Sequence, residues 1–284
     1  MAAKKTAKKR VKAAAKSAAA PKPSAKKPAK KPAKGRTASA APKDATRPRK
    51  GALMPRELVL PTYHKLRERY PDAHCELDHK NAFQLIVATV LSAQSTDVMV
   101  NKITPELFRR WSTPKALAAA DPAEVEQALS KIGMYRQKTK NIVGLAKKLL
   151  SDHGGEVPRT LAELVLLPGV GRKTANVVLG VAFGTPEGVV VDTHVQRISQ
   201  RLGWTRQAEP PEIEGDLMAL FPRSEWDMLS HTLIFHGRRT CSARKPACAA
   251  CPVNTECPSA FHAEDIGRKG PRLRAPAAPR STKA

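Results

Sequence analysis

Leu167-Pro-Gly-Val-Gly-Arg-Lys-Thr-Ala175 is the stretch on which the reading of this chain turns. Just before it, Thr160-Leu-Ala-Glu163 fits a capping box, with a Thr that caps a helix and a Glu three residues on, predicting a helix over 161–167. After the turn at 168–171, the apolar spacing predicts a second helix over 172–183. Gly169 and Gly171 permit backbone geometries closed to other residues. Such a turn can aim consecutive N–H groups outwards at the start of the next helix, which makes a site for a phosphate. The same residues also suit a tight turn with no ligand, because glycine pairs are weak signals. Arg172 and Lys173, immediately afterwards, favour the phosphate reading. Lys173 has two readings of its own. It is either one more phosphate contact or a nucleophilic amine, and the amine must be neutral to attack. Burial, a helix N-terminus and the neighbouring Arg172 would all favour that neutral form.

Working outward, the pattern is helical from about residue 55 to 261. Helices are expected over 56–69, 82–91, 97–111, 123–132, 137–152, 195–202, 210–221 and 225–236. Asp121 followed by Pro122 marks one helix start. Val189–Val191 is too short to make a convincing strand. Nothing reads as paired strands, so the fold class is all-α. Asp192, which follows that short apolar run, is in its plainest reading an N-cap, shared as a candidate with Thr193. Its functional reading is a carboxylate in a cleft, able to stabilise positive charge on a sugar ring and to move protons.

Cys241, Cys248, Cys251 and Cys257 are separated by six, two and five residues. Four thiolates that close together can wrap one centre, either zinc or an iron–sulfur cluster. Zinc ribbons usually show two separated Cys-x-x-Cys pairs. This single compact loop, stiffened by Pro246, Pro252 and Pro258, leans towards iron–sulfur. Arg238, Arg239, Arg244 and Lys245 flank it and could neutralise the cluster or contact phosphate. Cys75 lies far away and reads as an ordinary thiol.

The formal net charge of +25 is uneven. Residues 1–50 carry +17 and residues 265–284 carry +5, leaving +3 for the segment between. The Lys/Ala/Pro-rich tail at 1–52 and the basic tail at 263–284 are expected to be disordered arms that attract a polyanion such as DNA. No run of apolar residues is long enough for a membrane span. The Lys-rich start lacks the apolar core of a secretory signal. A cytoplasmic, nucleoid-associated location is expected for a bacterial source and a nuclear one for a eukaryotic source. Such a reducing compartment disfavours disulfides.

Taken in order, the hairpin at 167–175, Val191-Asp-Thr-His194 and the six–two–five cysteine loop resemble the endonuclease III family of helix-hairpin-helix DNA glycosylases. Leu91-Ser-Ala-Gln-Ser-Thr-Asp97 and Ile132-Gly-Met-Tyr135 also look like its motifs, and the resemblance covers residues 55–261. It implies two helical domains with a DNA-binding cleft between them. One is a six-helix barrel carrying the hairpin, at 76–186. The other, at 53–75 plus 187–262, holds a [4Fe–4S] cluster on the four cysteines. The family's catalytic lysine falls on Lys173 and its catalytic aspartate on Asp192. Gln94 matches the glutamine that fills the gap left by an extruded nucleotide. Met134 stands where the family usually has an intercalating leucine, and a flexible methionine keeps the wedge role with a weaker grip. Gly169, Gly171 and Arg172 would contact the DNA backbone.

The resemblance further implies a monomeric glycosylase and AP lyase acting on duplex DNA with oxidised pyrimidines or abasic sites. Lys173 attacks C1′ of a flipped-out nucleotide, and the resulting Schiff base leads to β-elimination that cuts 3′ to the lesion. Adenine glycosylases of the same superfamily typically carry serine in place of Lys173 and a glutamate near Val90, and they continue into a further domain. Only 27 residues follow Cys257 here. A mismatch-specific thymine glycosylase is nearer in sequence. A non-enzymatic DNA-binding protein would leave the Lys173–Asp192 pair incidental.

Overall fold

The computed structural model describes residues 51–263 and Ile266. The two expected disordered arms therefore lie outside the described residues, except for their inner ends. At the C-terminal inner end, Ala263 is buried and the Ile266 carbonyl accepts from Arg201 Nε, so packing continues past residue 262.

Eleven α-helices and no strand occur among the described residues. In chain order they are α1 (Arg56–Arg69), α2 (Ala82–Ser92), α3 (Asp97–Arg110), α4 (Pro114–Ala118), α5 (Pro122–Leu129) and α6 (Tyr135–His153). There follow α7 (Leu161–Leu164), α8 (Arg172–Phe183), α9 (Thr193–Arg201), α10 (Pro210–Leu220) and α11 (Trp226–Arg239). Most starts are set by side-chain caps. Asn81, Thr96, Thr113, Asp121, Thr160 and Asp192 each accept a hydrogen bond from an N–H in the first turn of the helix that follows. The helix over 161–167 is shorter than expected. Beyond α7 the chain goes on through Leu166 N–H to Glu163 and Leu167 N–H to Leu164, a tightened i→i+3 pattern. Pro168 disfavours helical geometry at Leu167. The five-residue helix α4 was not foreseen, although Thr113-Pro114 is a cap followed by Pro at N1.

The apolar side chains form two main clusters. The first runs from Leu77 to Leu179 and is centred on α2, where Leu85, Ile86, Val87, Ala88 and Leu91 are fully buried. A helix buried on all sides needs neighbours all round, and α2 packs against α3, α6 and α8. The second cluster joins α1 (Val59, Tyr63, Leu66) to α9, α10 and α11. Fully burying each large aliphatic side chain contributes about 1.5–3 kcal/mol. The chain leaves the first cluster after α8, where Gly184 ends the helix in left-handed geometry. Val189 to Val191 then lie outside helix and strand, with Val189 and Val191 in the second cluster and the Val190 N–H donating to Ser230 Oγ at 3.0 Å. This buried stub, which is no strand, delivers Asp192 to the start of α9.

Candidate active site

The hairpin at 167–171 rests on α6. Gly169 has φ +78, and a Cβ there would come within 2.9 Å of Asn141 Cβ, so both backbone conformation and space demand glycine. Gly171 differs from expectation. Its φ is −96, open to any residue, and a Cβ there would meet nothing within 4 Å. Nothing inside the chain requires glycine at 171. As the N-cap of α8 it offers no side chain to the first N–H groups of that helix, which are left for an outside acceptor. We expect Gly169→Ala to destabilise the fold by about 1–2 kcal/mol from backbone strain alone. Gly171→Ala should leave the melting temperature within about a degree or two, the effect of a surface change, yet weaken DNA binding. Thermal melting and a filter-binding titration on both variants check this pair; equal behaviour would contradict it.

Lys173, at the second position of α8, is exposed and lines an open cleft between the two clusters. Asp192 and Gln94 line the same cleft, from the start of α9 and from the α2–α3 loop. The expected burial of Lys173 is therefore absent. Arg172 is also not a free neighbouring charge. Its guanidinium grips Glu214 of α10 through Nε (2.9 Å) and Nη2 (3.0 Å), and Asn176 Nδ2 donates to the same carboxylate at 3.1 Å. Arg172 thus ties α8 to α10.

Asp192 Oδ1 accepts from the His194 and Val195 N–H groups, both at 2.8 Å. The N-cap reading is met through one carboxylate oxygen, and the same residue lines the cleft. Asp97, at the start of α3, joins them there. Burial pushes its carboxyl pKa up; Lys173 pulls it down and Asp192 pushes it up further, so the three charges share one field. Arg238 of α11 donates to Asp97 Oδ2 at 2.7 Å and also pairs with Glu76, which binds the second cluster's helix to the first. The Asp97–Arg238 bridge escaped the sequence reading, because its two members lie in separate motifs 141 residues apart. Burial also lowers the His194 pKa, with Asp192 opposing it.

Gln94 (φ 55) and Met134 (φ 58) adopt left-handed geometry, rare for residues other than glycine. Such strain gathers at functional sites. Met134 is half exposed at the start of α6. No composition signal marks either conformation.

Cys241, Cys248, Cys251 and Cys257 line one cavity below α9 and α11, well apart from Cys75, which lines the cleft. Of the four flanking cations foreseen to neutralise the cluster or contact phosphate, Arg238 and Arg239 are paired elsewhere. Arg238 bridges Glu76 and Asp97, Arg239 pairs with Asp72, and Arg244 and Lys245 are exposed. The cations at the cavity are instead Arg197 and Arg201 of α9, both buried. Arg201 donates to Cys241 Sγ (3.3 Å) and to the carbonyls of Ser242 (2.8 Å) and Ala243 (2.9 Å). Arg197 donates to the carbonyls of Gly237 (2.9 Å) and Cys241 (3.2 Å), and its Nε is buried without a partner. Neither forms a salt bridge with a carboxylate among the described residues; Arg201 lines the cavity, and Arg197 reaches its edge at the Cys241 carbonyl. An Arg pair at i, i+4 beside the apolar Val195 and Ile198 was the signal that could have revealed them. Burial pushes the thiols of Cys251 to about 11 and Cys257 to about 12.

A hairpin resting on an all-helical core, next to a cleft that holds a lysine and an aspartate, defines a helix-hairpin-helix protein, and residues 87–223 match the family model of HhH-GPD superfamily base excision DNA repair proteins. The chain is 51% identical over 195 residues to endonuclease III of Synechocystis sp., an alignment covering 69% of this chain and 89% of that one. A solved non-covalent endonuclease III–DNA complex superposes with a TM-score of 0.69 at 45% identity, covering 72% of this chain and 96% of that one. A trapped endonuclease III–DNA covalent intermediate, in an estranged-adenine complex, does so with the same TM-score at 46% identity and the same coverage. The chain belongs to the endonuclease III family. It is a bifunctional DNA glycosylase and AP lyase of base excision repair.

Proposed function

We propose that this chain removes oxidised pyrimidines from duplex DNA through a Schiff base on Lys173 and then cuts the strand 3′ to the abasic site. The observation that carries the reading is the meeting of Lys173 and Asp192, 19 positions apart on different helices, in one cleft. The nucleotide must leave the stack, because C1′ is inaccessible inside the duplex. Gln94 fills the gap it leaves and Met134 wedges the neighbouring step. The phosphate rests on the α8 N-terminus, where Gly171 leaves room. The Lys173 amine then forms a bond to C1′ as the base departs with the glycosidic electron pair. Asp192 stabilises the positive charge that develops on the sugar and carries protons. The C1′–O4′ bond then breaks, its electron pair going to the ring oxygen, which takes up the proton lost from the Lys173 nitrogen, and the imine forms. In that imine, loss of a C2′ proton pushes electrons towards C3′, and the 3′ phosphate leaves with the C3′–O bond pair.

A mismatch-specific or purine activity is distinguished by duplexes each carrying one defined lesion. Oxidised and ring-saturated pyrimidines should show base release and strand cleavage together. Release without cleavage, or preference for a mismatched thymine, would overturn the lesion assignment. We assign the barrel to residues 76–186 and the cluster domain to 53–75 plus 187–262, which the two apolar clusters support. The chain works as a monomer. No helix among the described residues is long and apolar enough to cross a membrane, and we place the enzyme in the cytoplasm at the nucleoid.

We further propose that Cys241, Cys248, Cys251 and Cys257 hold a [4Fe–4S] cluster, one iron per thiolate. The donor set fits such a group. The four thiols line one cavity, and four cysteine sulfurs are the donor set that such a cluster takes. Thiols with raised pKa values need a metal to become thiolates. Arg197 and Arg201 supply the positive charge that a cluster bearing four thiolates lacks. When bound, the cluster shapes the loop at 241–257 against DNA and stands outside the bond-making steps. Anaerobically purified protein should hold about four irons per chain. Cys257→Ser should lose iron and much of the thermal stability. Stoichiometric zinc in the wild type would contradict the assignment.

A further inference from the structure

Gln94, which lines the cleft, and Met134, half exposed before α6, both have left-handed backbone, and one buried residue bonds to the segment around each. Lys138, in the first turn of α6, is 3% exposed. Its Nζ donates to Ser95 Oγ at 2.8 Å, the residue next to Gln94. Its backbone N–H donates to the Met134 carbonyl at 3.0 Å, the bond that opens α6. A single residue thus ties the α2–α3 loop to the turn before α6. No carboxylate pairs with the ammonium among the described residues, and burial lowers its pKa. A buried charge without a counter-ion is a poor choice for folding alone. A methionine or leucine would fill the space at less cost, so the ammonium calls for another explanation. Left-handed backbone at non-glycine positions persists only where the surroundings over-determine it. The main-chain bond to Met134 is the ordinary first bond of α6, which any residue but proline would make; the lysine's own contribution is the side-chain bond that fixes the Ser95 corner to that first turn.

We propose that Lys138 is a positioning residue that locks the Gln94 loop and the Met134 turn in register, so that both side chains enter the duplex together as the nucleotide is extruded. The proposal rests on the reading of Gln94 and Met134 as inserting residues. A lysine suits the task because its long stem crosses from α6 to the loop and its three donors can seize a hydroxyl at the far end. Serine at 95 supplies that hydroxyl without adding bulk beside Gln94.

The test compares borohydride trapping on abasic duplex with trapping on abasic single strand, which needs no extrusion. Lys138→Met and Ser95→Ala should each lower the duplex-to-single-strand ratio by about ten-fold, the scale of a small misplacement, while single-strand trapping is kept. The fluorescence of 2-aminopurine beside the abasic site should fall in parallel. In the wild-type background, Gln94→Ala and Met134→Ala should be non-additive, and in the Lys138→Met background they should become additive. Should Lys138→Met fail to fold, Ser95→Ala carries the same prediction, because it removes only the acceptor. If the Gln94 and Met134 variants lower the ratio while Lys138→Met and Ser95→Ala do not, the positioning role is overturned and the insertion reading stands. If the Gln94 and Met134 variants leave the ratio unchanged, the insertion reading itself falls, and the proposal with it.

Discussion

Lys173→Ala is expected to lose both base release and strand cleavage, by on the order of 10⁴-fold or more, the scale on which removal of an attacking group is felt. The reason lies in what each function requires of the side chain. A phosphate contact at this position would share its load with the α8 N-terminus and with the room left by Gly171. Its loss would weaken binding several-fold and leave the chemistry intact. An attacking amine has no deputy. The side chain is exposed at the second residue of α8, so the substitution opens no cavity and the fold should survive. Alanine is moreover a good helix former. Lesion-containing duplex should still bind to the variant, which separates lost chemistry from lost affinity. Single-turnover nicking of an abasic duplex at saturating enzyme gives the measurement. Residual cleavage within ten-fold of wild type, about the effect of a lost contact, would return Lys173 to the phosphate-binding role.

The second large effect concerns Asp192, where cap and catalysis can be pulled apart. Asp192 Oδ1 caps α9 through the N–H groups of His194 and Val195. Asparagine is as good a cap as aspartate, so Asp192→Asn should keep the melting temperature nearly unchanged. It removes the negative charge from the cleft, however, and with it the stabilisation of positive charge on the sugar. Base release should fall by about 10²–10⁴-fold, the range for a positioned proton-transfer group. Asp192→Ala loses the cap as well and should cost about a further 1 kcal/mol of stability. If Asp192→Asn were active and only Asp192→Ala impaired, the residue would be a structural cap and no more. The Asp97 carboxyl, raised by burial and by Asp192, should drop towards its ordinary range in Asp192→Asn, since one of the charges pushing it up is gone.

Much of this architecture was legible because helices announce themselves locally. The spacing of Leu58, Val59, Tyr63 and Leu66 gives α1 its full length, and Arg172–Phe183 appears as read. The caps at Asp121 and Thr160 were visible because a short polar side chain before an apolar run has few other uses. What stayed hidden depends on contacts distant in sequence. Arg172 read as a phosphate contact because its partner Glu214 is 42 residues away. Arg238 and Arg239 read as neighbours of the cluster because they adjoin Cys241, yet their carboxylate partners come from residues 72–97. Gly169 and Gly171 looked equivalent as a pair. The fold separates the one required by φ and Asn141 from the one whose inside face is empty. The left-handed turns at Gln94 and Met134 could not be foreseen, since neither residue type favours that geometry.

The central claim is that the amine of Lys173 bonds to the sugar. Borohydride reduction during reaction with an abasic duplex freezes that bond, and peptide mapping of the adduct identifies the lysine that carries it. The adduct is predicted on the peptide containing Lys173, with Asp192→Asn slowing its formation and leaving its position unchanged. An adduct on any other amine of the chain, or a folded, DNA-binding protein that yields none, would contradict the account.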